Sequence, residues 1–291
     1  MRFSVVTPCL NNINYLPRCI GSIRGQSYPD VDHRIVDGGS TDGTVAWLAG
    51  HERTGEEGAI KAYHWTSEPD NGLYDAINKG WACAQGDILS WLNCDEQYLP
   101  GVLNDVADTF ARFPDVDVVF GDAIIVDPSG TAMAMRREVP LRHFYIRNTF
   151  LNAYTCTMFF RRRLWDSGAL RFDTRFRYAG DMDLILRLLE SGVKQYHTHR
   201  THALFTAGGN NLSLHGRMRQ ETECVCFEHG GFRTAWFRRL AQCLRQTERL
   251  VKGHYVPRTV DYDYAENEDG VLSHRRGVRL SGRFNIARMR A

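Results

Sequence analysis

Four short apolar runs separated by helix-patterned segments fill the first hundred residues, and this rhythm restricts the fold more than any other feature of the chain. The runs are Phe3 to Thr7, Val31 to Val36, about Ala59 to Trp65, and one that ends at Leu92. Between the first two, Asn11 or Asn12 caps a helix running to about Gly25, with Pro17 near its first turn. Between the second and third, the turn cluster Asp37–Thr44 hands over to a helix through Val45 to Leu48. The best-patterned helix precedes the fourth run, with Leu73, Ala76, Ile77, Gly80, Trp81 and Ala84 on one face. Parallel strands need crossover connections, so this alternation predicts an α/β domain around a parallel sheet.

From about Val116 the rhythm changes. Hairpin-like segments at Val116 to Val126 and Thr131 to Val139 are followed by a short helix after Leu141, a strand at Thr155 to Phe160 and a helix at Asp181 to Glu190. These predict the second wall of a cleft. Beyond Phe232, 13 Lys and Arg stand against 6 Asp and Glu, an excess of seven in a chain whose net charge is +2. A basic amphipathic helix (Trp236, Leu240, Cys243, Leu244, Leu250), a Tyr- and Asp-containing loop and an Arg-rich end are expected there. The predicted division is a domain over 1–230, its halves meeting near residue 100, and a basic helical extension and tail over 231–291.

Composition excludes several classes. With 43% hydrophobic and 24% charged residues the chain is ordinary globular material, and it has no stretch of the roughly 18 apolar residues that span a bilayer. Met1–Val6 runs into a strand without a leader-like apolar region, so the expectation is a cytoplasmic protein. Its basic end suits either a solvated face or peripheral contact with an anionic membrane surface, while nucleic acid is not an expected partner. The eight cysteines include no C-x-x-C pair and read as reduced thiols; Cys224-x-Cys226 before His229 is a poor zinc signature.

The chemistry concentrates in acids at strand ends. Asn93-Cys94-Asp95-Glu96 follows the apolar run Ile88–Leu92, which places two carboxylates at the carboxyl edge of a sheet, where open α/β folds bind ligands. Paired hard oxygens there suit Mg²⁺ or Mn²⁺. Asp37 closes the second strand at the same edge and can accept a hydrogen bond from a base N–H. Asp42 reads as a cap or turn residue. Glu68–Asp75 opens the strong helix and gathers polar groups at its positive end, where Asp70, Asn71 and Asp75 are also suited to capping.

The ordered motifs Val-Thr-Pro, Asp-Gly-Gly-Ser-Thr-Asp-Gly-Thr, Ser-Glu-Pro-Asp-Asn-Gly-Leu-Tyr-Asp-Ala-Ile-Asn-Lys-Gly, Leu-Asn-Cys-Asp-Glu and Gly-Asp-Met-Asp-Leu resemble glycosyltransferase family 2 over about residues 3 to 210. The resemblance implies a GT-A fold, that is, a Rossmann-like, mostly parallel sheet flanked by helices with a small mixed β region. It further implies a nucleotide-diphosphate sugar donor, a divalent metal (Mg or Mn) and transfer with inversion to an acceptor hydroxyl, the expected acceptor being a polysaccharide, glycolipid or other glycan; the basic end adds the expectation of a lipid-linked acceptor at a membrane. Residue by residue, it implies that Thr7, Pro8, Leu10 and Asp37 contact the base, and that Asp70, Asn78, Lys79 and Asn93 contact the nucleotide-sugar. Gly38 stands where the family often carries a second Asp. Asp95 matches the metal-binding acid, and Glu96, often Asp in the family, reaches the ion directly or through water.

Asp181 matches the family's general base; its other reading is a helix cap, and Asp183 is supporting or structural. Of His197, His199 and His202 in an apparent strand, the resemblance allows a metal or diphosphate contact, with His199 and His202 as the candidates; packing is the alternative. Arg161–Arg163 reads as a phosphate contact or a solvated helix start. Two other functions share such a scaffold. A sugar nucleotidyltransferase would need a Gly-rich, cationic loop after the first strand, and Pro8–Asn12 has neither; a non-catalytic binding protein is countered by Asp37, Asp95 and Asp181 together.

Overall fold

The computed structural model describes residues 1–51, 63–208 and 216–283. The four expected runs become strands β1 (Phe3–Cys9), β2 (Val31–Asp37), β3 (Tyr63–Ser67) and β4 (Ile88–Trp91), linked by helices α1 (Leu16–Arg24), α2 (Thr44–Gly50) and α3 (Leu73–Cys83). Residues 59–62 of the predicted third strand lie outside the described residues. β1 pairs in parallel with both β2 and β4, and β2 with β3, as the alternation predicts. Pro17 occupies the first turn of α1, where its missing N–H is no loss.

The second half adds β5 (Glu96–Tyr98), α4 (Val102–Arg112), β6 (Val118–Val126), β7 (Ala132–Arg136), α5 (His143–Ile146), a 3₁₀ turn over Thr155–Thr157, β8 (Met158–Arg161), α6 (Arg162–Asp166), α7 (Gly180–Glu190) and β9 (Gln195–Thr206). Among the described residues one sheet runs β3-β2-β1-β4-β8-β6-β9-β5, with β7 on β6. Its first four strands are parallel; β8 is antiparallel to both β4 and β6, and β9 returns parallel to β6. The parallel strands and the adjoining mixed region match the expected architecture.

Packing fixes where the strand ends lie. Trp81 of α3 meets Trp91 of β4 edge-on at 5.5 Å and stacks on Phe172, so the patterned face of α3 covers the parallel half. The helix lies close because Gly80 has no side chain; a Cβ there would stand 2.5 Å from Val6 Cγ1.

After α8 (Met218–Glu228) and α9 (Ala235–Val251), the chain forms the antiparallel hairpin β10 (Arg258–Ala265) and β11 (Leu272–Leu280). The expected Tyr- and Asp-containing loop is thus a strand. Tyr262 and Tyr264 alternate inward, their hydroxyls bonding Gly130 O and Arg18 at 2.8 Å, and Gln97 bonds Ala265 in both directions. The hairpin is packed onto the main sheet rather than trailing from it. Arg161–Arg163 is corrected as well: Arg161 donates to the carbonyls of Val116 and Phe110, Arg162 to that of Ala84, and Arg163 pairs with Asp117. These guanidinium groups tie loop ends to β8 and α6 and are not available to a phosphate.

Gly80→Val should lower stability by about 1–3 kcal/mol, the usual result of overfilling a packed interface. Urea denaturation followed by tryptophan fluorescence measures it; an unchanged midpoint would contradict the close α3–β1 contact.

Candidate functional site

A cleft of about 780 Å³ opens at the carboxyl edge of the parallel half. The ends of β1 and β4 form its floor, with Pro8, Cys9 and Leu10 beside Asn93, Cys94, Asp95 and Glu96. The start of α3 supplies Asp70, Leu73 and Tyr74, and the opposite wall carries Thr155, Arg177, Tyr178, Asp181 and Phe205, with Arg217 and Met218 at the start of α8. Acids that lie 86 positions apart in sequence face one cleft because β4 ends and α7 begins there.

The turn after β4 is tightly specified. Glu96 N–H donates to Asn93 O, and Asn93 N–H donates to Glu96 Oε2 at 2.8 Å. Cys94 Sγ–H donates to Pro8 O, joining this turn to the end of β1. Glu96 is buried, Asp95 partly so, and loss of water pushes both carboxyls above their ordinary range, with the neighbouring acid adding to the rise at Glu96. Among the described residues neither makes an ion pair within 4 Å. Asn93 Oδ1 is buried beside them without a hydrogen-bond partner. Three hard oxygens lacking a positive partner fit a divalent cation, with Asp95, Glu96 and Asn93 as the groups that would hold it.

Across the cleft, Asp181 sits at the start of α7. Its Oδ1 accepts from Met182 N–H at 2.8 Å and from Tyr74 O–H at 3.3 Å, and burial pushes its pKa up to about 6. The loop before it is pinned from α8, since the Glu221 carboxylate accepts the backbone N–H groups of Arg177, Tyr178 and Ala179. Gly72 lets Arg177 lie against the α3 start, because a Cβ there would be 2.7 Å from its guanidinium. Arg177, Arg217, Tyr74, Tyr178 and Glu221 were not anticipated from sequence. The one available signal was the Arg175–Tyr178 run just before Gly180-Asp181.

Other expected residues are committed elsewhere. Thr7 is buried with its hydroxyl 2.9 Å from His33 Nε2. Asp37 is fully enclosed: Oδ2 accepts from Gly39 N–H, Ser40 N–H and Ser67 O–H, and Oδ1 from the Ser40 hydroxyl, so it closes the turn and does not line the cleft. Asn78 clamps Phe172 through both N–H and C=O, and Lys79 pairs with Glu68 and Asp75 on the surface. Neither reaches the cleft. Asp42 is a turn residue, accepting from Thr44 and Ile13. Asp70 lines the cleft, with Oδ1 on Gly72 N–H.

The histidines are packing residues. His197 bonds the buried Asp122, and His202 lies 3.1 Å from Thr157 O and 2.9 Å from Thr198 Oγ1. His199 takes a positive φ of 57°, which breaks the strict alternation expected of the strand; its ring lies against that of His197, and none of the three lines the cleft. Asp183 is structural, bonded to Arg187 and His229.

The linkage at Glu96 has a definite sign. A carboxyl whose pKa is raised by folding binds more protons folded than unfolded between its two pKa values, so stability falls as pH rises through that interval. In chelator, Glu96→Gln should therefore be more stable than wild type at pH 8.5, by at least about 1.4 kcal/mol, with the gap narrowing towards pH 5. Urea midpoints at the two pH values check this; a gap that does not change with pH would contradict the burial-driven shift.

Comparison with known proteins identifies the family and the fold. The model of glycosyl transferase family 2 matches residues 4–168. A PGL/p-HBAD biosynthesis glycosyltransferase of Mycobacterium bovis is 31% identical over 191 residues, covering 64% of this chain and 68% of that protein. An uncharacterized glycosyltransferase of Mycobacterium tuberculosis is 40% identical over 96 residues, and there the match spans about a third of the relative's length (34%) and 33% of this chain. Among solved structures, S. aureus TarS aligns with a TM-score of 0.61 at 16% identity, over 86% of this chain and 44% of TarS. The mannosyltransferase PcManGT from Pyrobaculum calidifontis, in complex with GDP-Man and Mn²⁺, aligns with a TM-score of 0.57 at 17% identity, over 84% of this chain and 69% of that one. The fold is that of GT-A glycosyltransferases, and the chain belongs to glycosyltransferase family 2.

Proposed function

We propose that the protein transfers a sugar from a nucleotide-diphosphate sugar to an acceptor hydroxyl, with inversion at the anomeric carbon. The observation that carries this reading is one cleft holding, on one side, a hard-oxygen cluster (Asn93, Asp95, Glu96) with no ion-pair partner among the described residues and, on the other, a positioned, raised-pKa carboxylate (Asp181). A volume of about 780 Å³ suits a ligand of nucleotide-sugar size. The structural neighbours support the donor class, since TarS was solved with UDP-GlcNAc and PcManGT with GDP-Man and Mn²⁺.

In this reading Pro8, Leu10 and Asp70 hold the nucleotide end, and Arg177 and Arg217 face its diphosphate. Asp95 and Glu96 would hold a divalent cation, which would supply neutralisation of the charge on the leaving diphosphate. Asp181 takes the proton of the acceptor hydroxyl while that oxygen bonds the anomeric carbon and the bond to the diphosphate breaks on the opposite face. Met182 N–H and Tyr74 O–H fix Oδ1, which orients the carboxylate for the transfer. A base with a pKa of about 6 is ionised at neutral pH yet remains a competent proton acceptor.

For the acceptor, α9 supports a lipid-linked glycan presented at an anionic membrane surface. Trp236 (64% exposed), Phe237, Leu240, Leu244 (46%) and Val251 form an outward apolar stripe, while Ala241, Arg245 and Arg249 turn inward. An aromatic-rich apolar face in a region with a charge excess of seven matches helices that lie in a membrane interface. No helix among the described residues is long and apolar enough to cross a membrane.

Two measurements test these assignments. Sugar nucleotides should raise the melting temperature only with Mg²⁺ or Mn²⁺, and Asp181→Asn should keep that shift while losing transfer by about 10²-fold or more. Wild-type rate should rise about tenfold per pH unit below 6 and level above it. Full transfer by Asp181→Asn removes the base assignment; no stabilisation by any donor removes the transferase reading. Separately, the protein should sediment with anionic phosphatidylglycerol vesicles, and Trp236→Glu/Leu244→Glu should abolish this. If the wild type stays in the supernatant, or self-associates through the stripe without binding vesicles, the membrane assignment fails.

A further inference from the structure

Away from the cleft, three elements bring two imidazoles onto one carboxylate oxygen. His143 Nε2, at the start of α5, lies 2.7 Å from Glu190 Oε1 at the end of α7, and His229 Nδ1, just past α8, lies 2.8 Å from the same oxygen. The ligand atoms of the three lie within 4.8 Å of one another. The other nitrogen of His229, Nε2, is 3.1 Å from Asp183 Oδ1, and Asp183 Oδ2 is held by Arg187 Nε at 2.9 Å. A metal-bound histidine characteristically donates its second ring N–H to a carboxylate, which fixes tautomer and orientation. His229 already has that arrangement, its side chain only 8% exposed.

We infer that His143, Glu190 and His229 form a transition-metal site of the Zn²⁺ class, with Asp183 orienting His229. Without metal, both imidazoles must present a proton to Glu190 Oε1, and His229 must carry a second on Nε2 to satisfy Asp183. One divalent ion replaces the two facing protons and leaves the Nε2–H bond to Asp183 intact. Tetrahedral zinc, with ligand bonds of about 2.0–2.2 Å, separates neighbouring ligand atoms by roughly 3.3 Å. The two N···O distances therefore open by only about 0.5 Å and the two nitrogens, within 4.8 Å of one another, face the same point; His143 and Glu190 are 30% and 42% exposed, which gives their side chains room to adjust. Their exposure leaves the fourth position to water. Cys224 and Cys226, the thiols near His229 in sequence, take no part: Cys226 is buried and Cys224 bonds Glu228.

The ion would join α5 and the end of α8 to the last residue of α7. Asp181 stands nine residues earlier on that helix, about 13 Å away at 1.5 Å per residue, so this site is separate from the donor cleft. It does not depend on the proposed transferase activity.

The test uses the full chain stripped with chelator. Zn²⁺ should bind with one equivalent in equilibrium dialysis and raise the melting temperature, and Co²⁺ should give visible d–d absorption. His143→Gln and Glu190→Gln, both at solvent-accessible positions, should each weaken Zn²⁺ binding about 10-fold or more. Asp95→Asn should retain the equivalent. Failure of the stripped protein to bind Zn²⁺, or retention of binding by both cluster variants, overturns the site. Loss of the equivalent in Asp95→Asn also overturns it, by locating the ion in the donor cleft, whereas loss of nucleotide-dependent stabilisation alone bears only on the transferase reading.

Discussion

Removing two neighbouring carboxyl groups from water without giving them a cationic side chain among the described residues is the constraint around which the cleft is arranged. Asp95 and Glu96 follow a four-residue strand buried on both faces, so the chain has no room to turn them towards bulk solvent. Desolvated carboxylates are costly, and the protein answers with one backbone donor to Glu96 and a raised proton affinity rather than with an arginine. A site kept electrostatically incomplete in this way favours a cationic ligand over any side chain. The interior carries the stability that such a site gives up, through the Trp81, Trp91, Phe160 and Phe172 rings packed directly behind it.

The facing wall achieves its geometry differently. Asp181 is not anchored by a cation either; it is set by its position on α7 and by contacts from two other helices. Gly180 has no Cβ, which would stand 2.7 Å from the Tyr74 ring, so Tyr74 packs close enough for its hydroxyl to reach Asp181. Glu221 of α8 holds the three preceding backbone N–H groups. Position of the carboxylate thus depends on residues 107 places before it and 40 after it in sequence.

That dependence explains what the sequence revealed. Periodicity shows the strands and helices of the first hundred residues, and the parallel orientation of β1, β2, β3 and β4 follows from the helices between them. Asp95, Glu96, Asn93, Asp181, Asp70, Pro8 and Leu10 were legible because strand and helix ends place the backbone at the cleft. Thr7, Asp37, Asn78 and Lys79 lie just as near by chain position, yet their partners His33, Ser67, Phe172 and Glu68 decide where each side chain points. Side-chain direction at a loop or helix start is a tertiary property, and motif position does not carry it. The hairpin of β10 and β11 was a different kind of omission. Its inward Tyr262 and Tyr264 alternate with Asp261 and Asp263, a period-two signal obscured by the charge of the segment.

The departure at Gly38 has a spatial explanation in Asp70. A Cβ on residue 38 would lie 2.6 Å from Asp70 Oδ2, so any side chain there would overlap the carboxylate, and an acid would add like-charge repulsion at contact. Asp70 is in turn held by the N–H of Gly72, whose φ of 100° belongs to a region that glycine enters at little cost. One glycine makes room for the Asp70 carboxylate and the other makes the turn that holds it, and together they keep that carboxylate at the edge of the cleft.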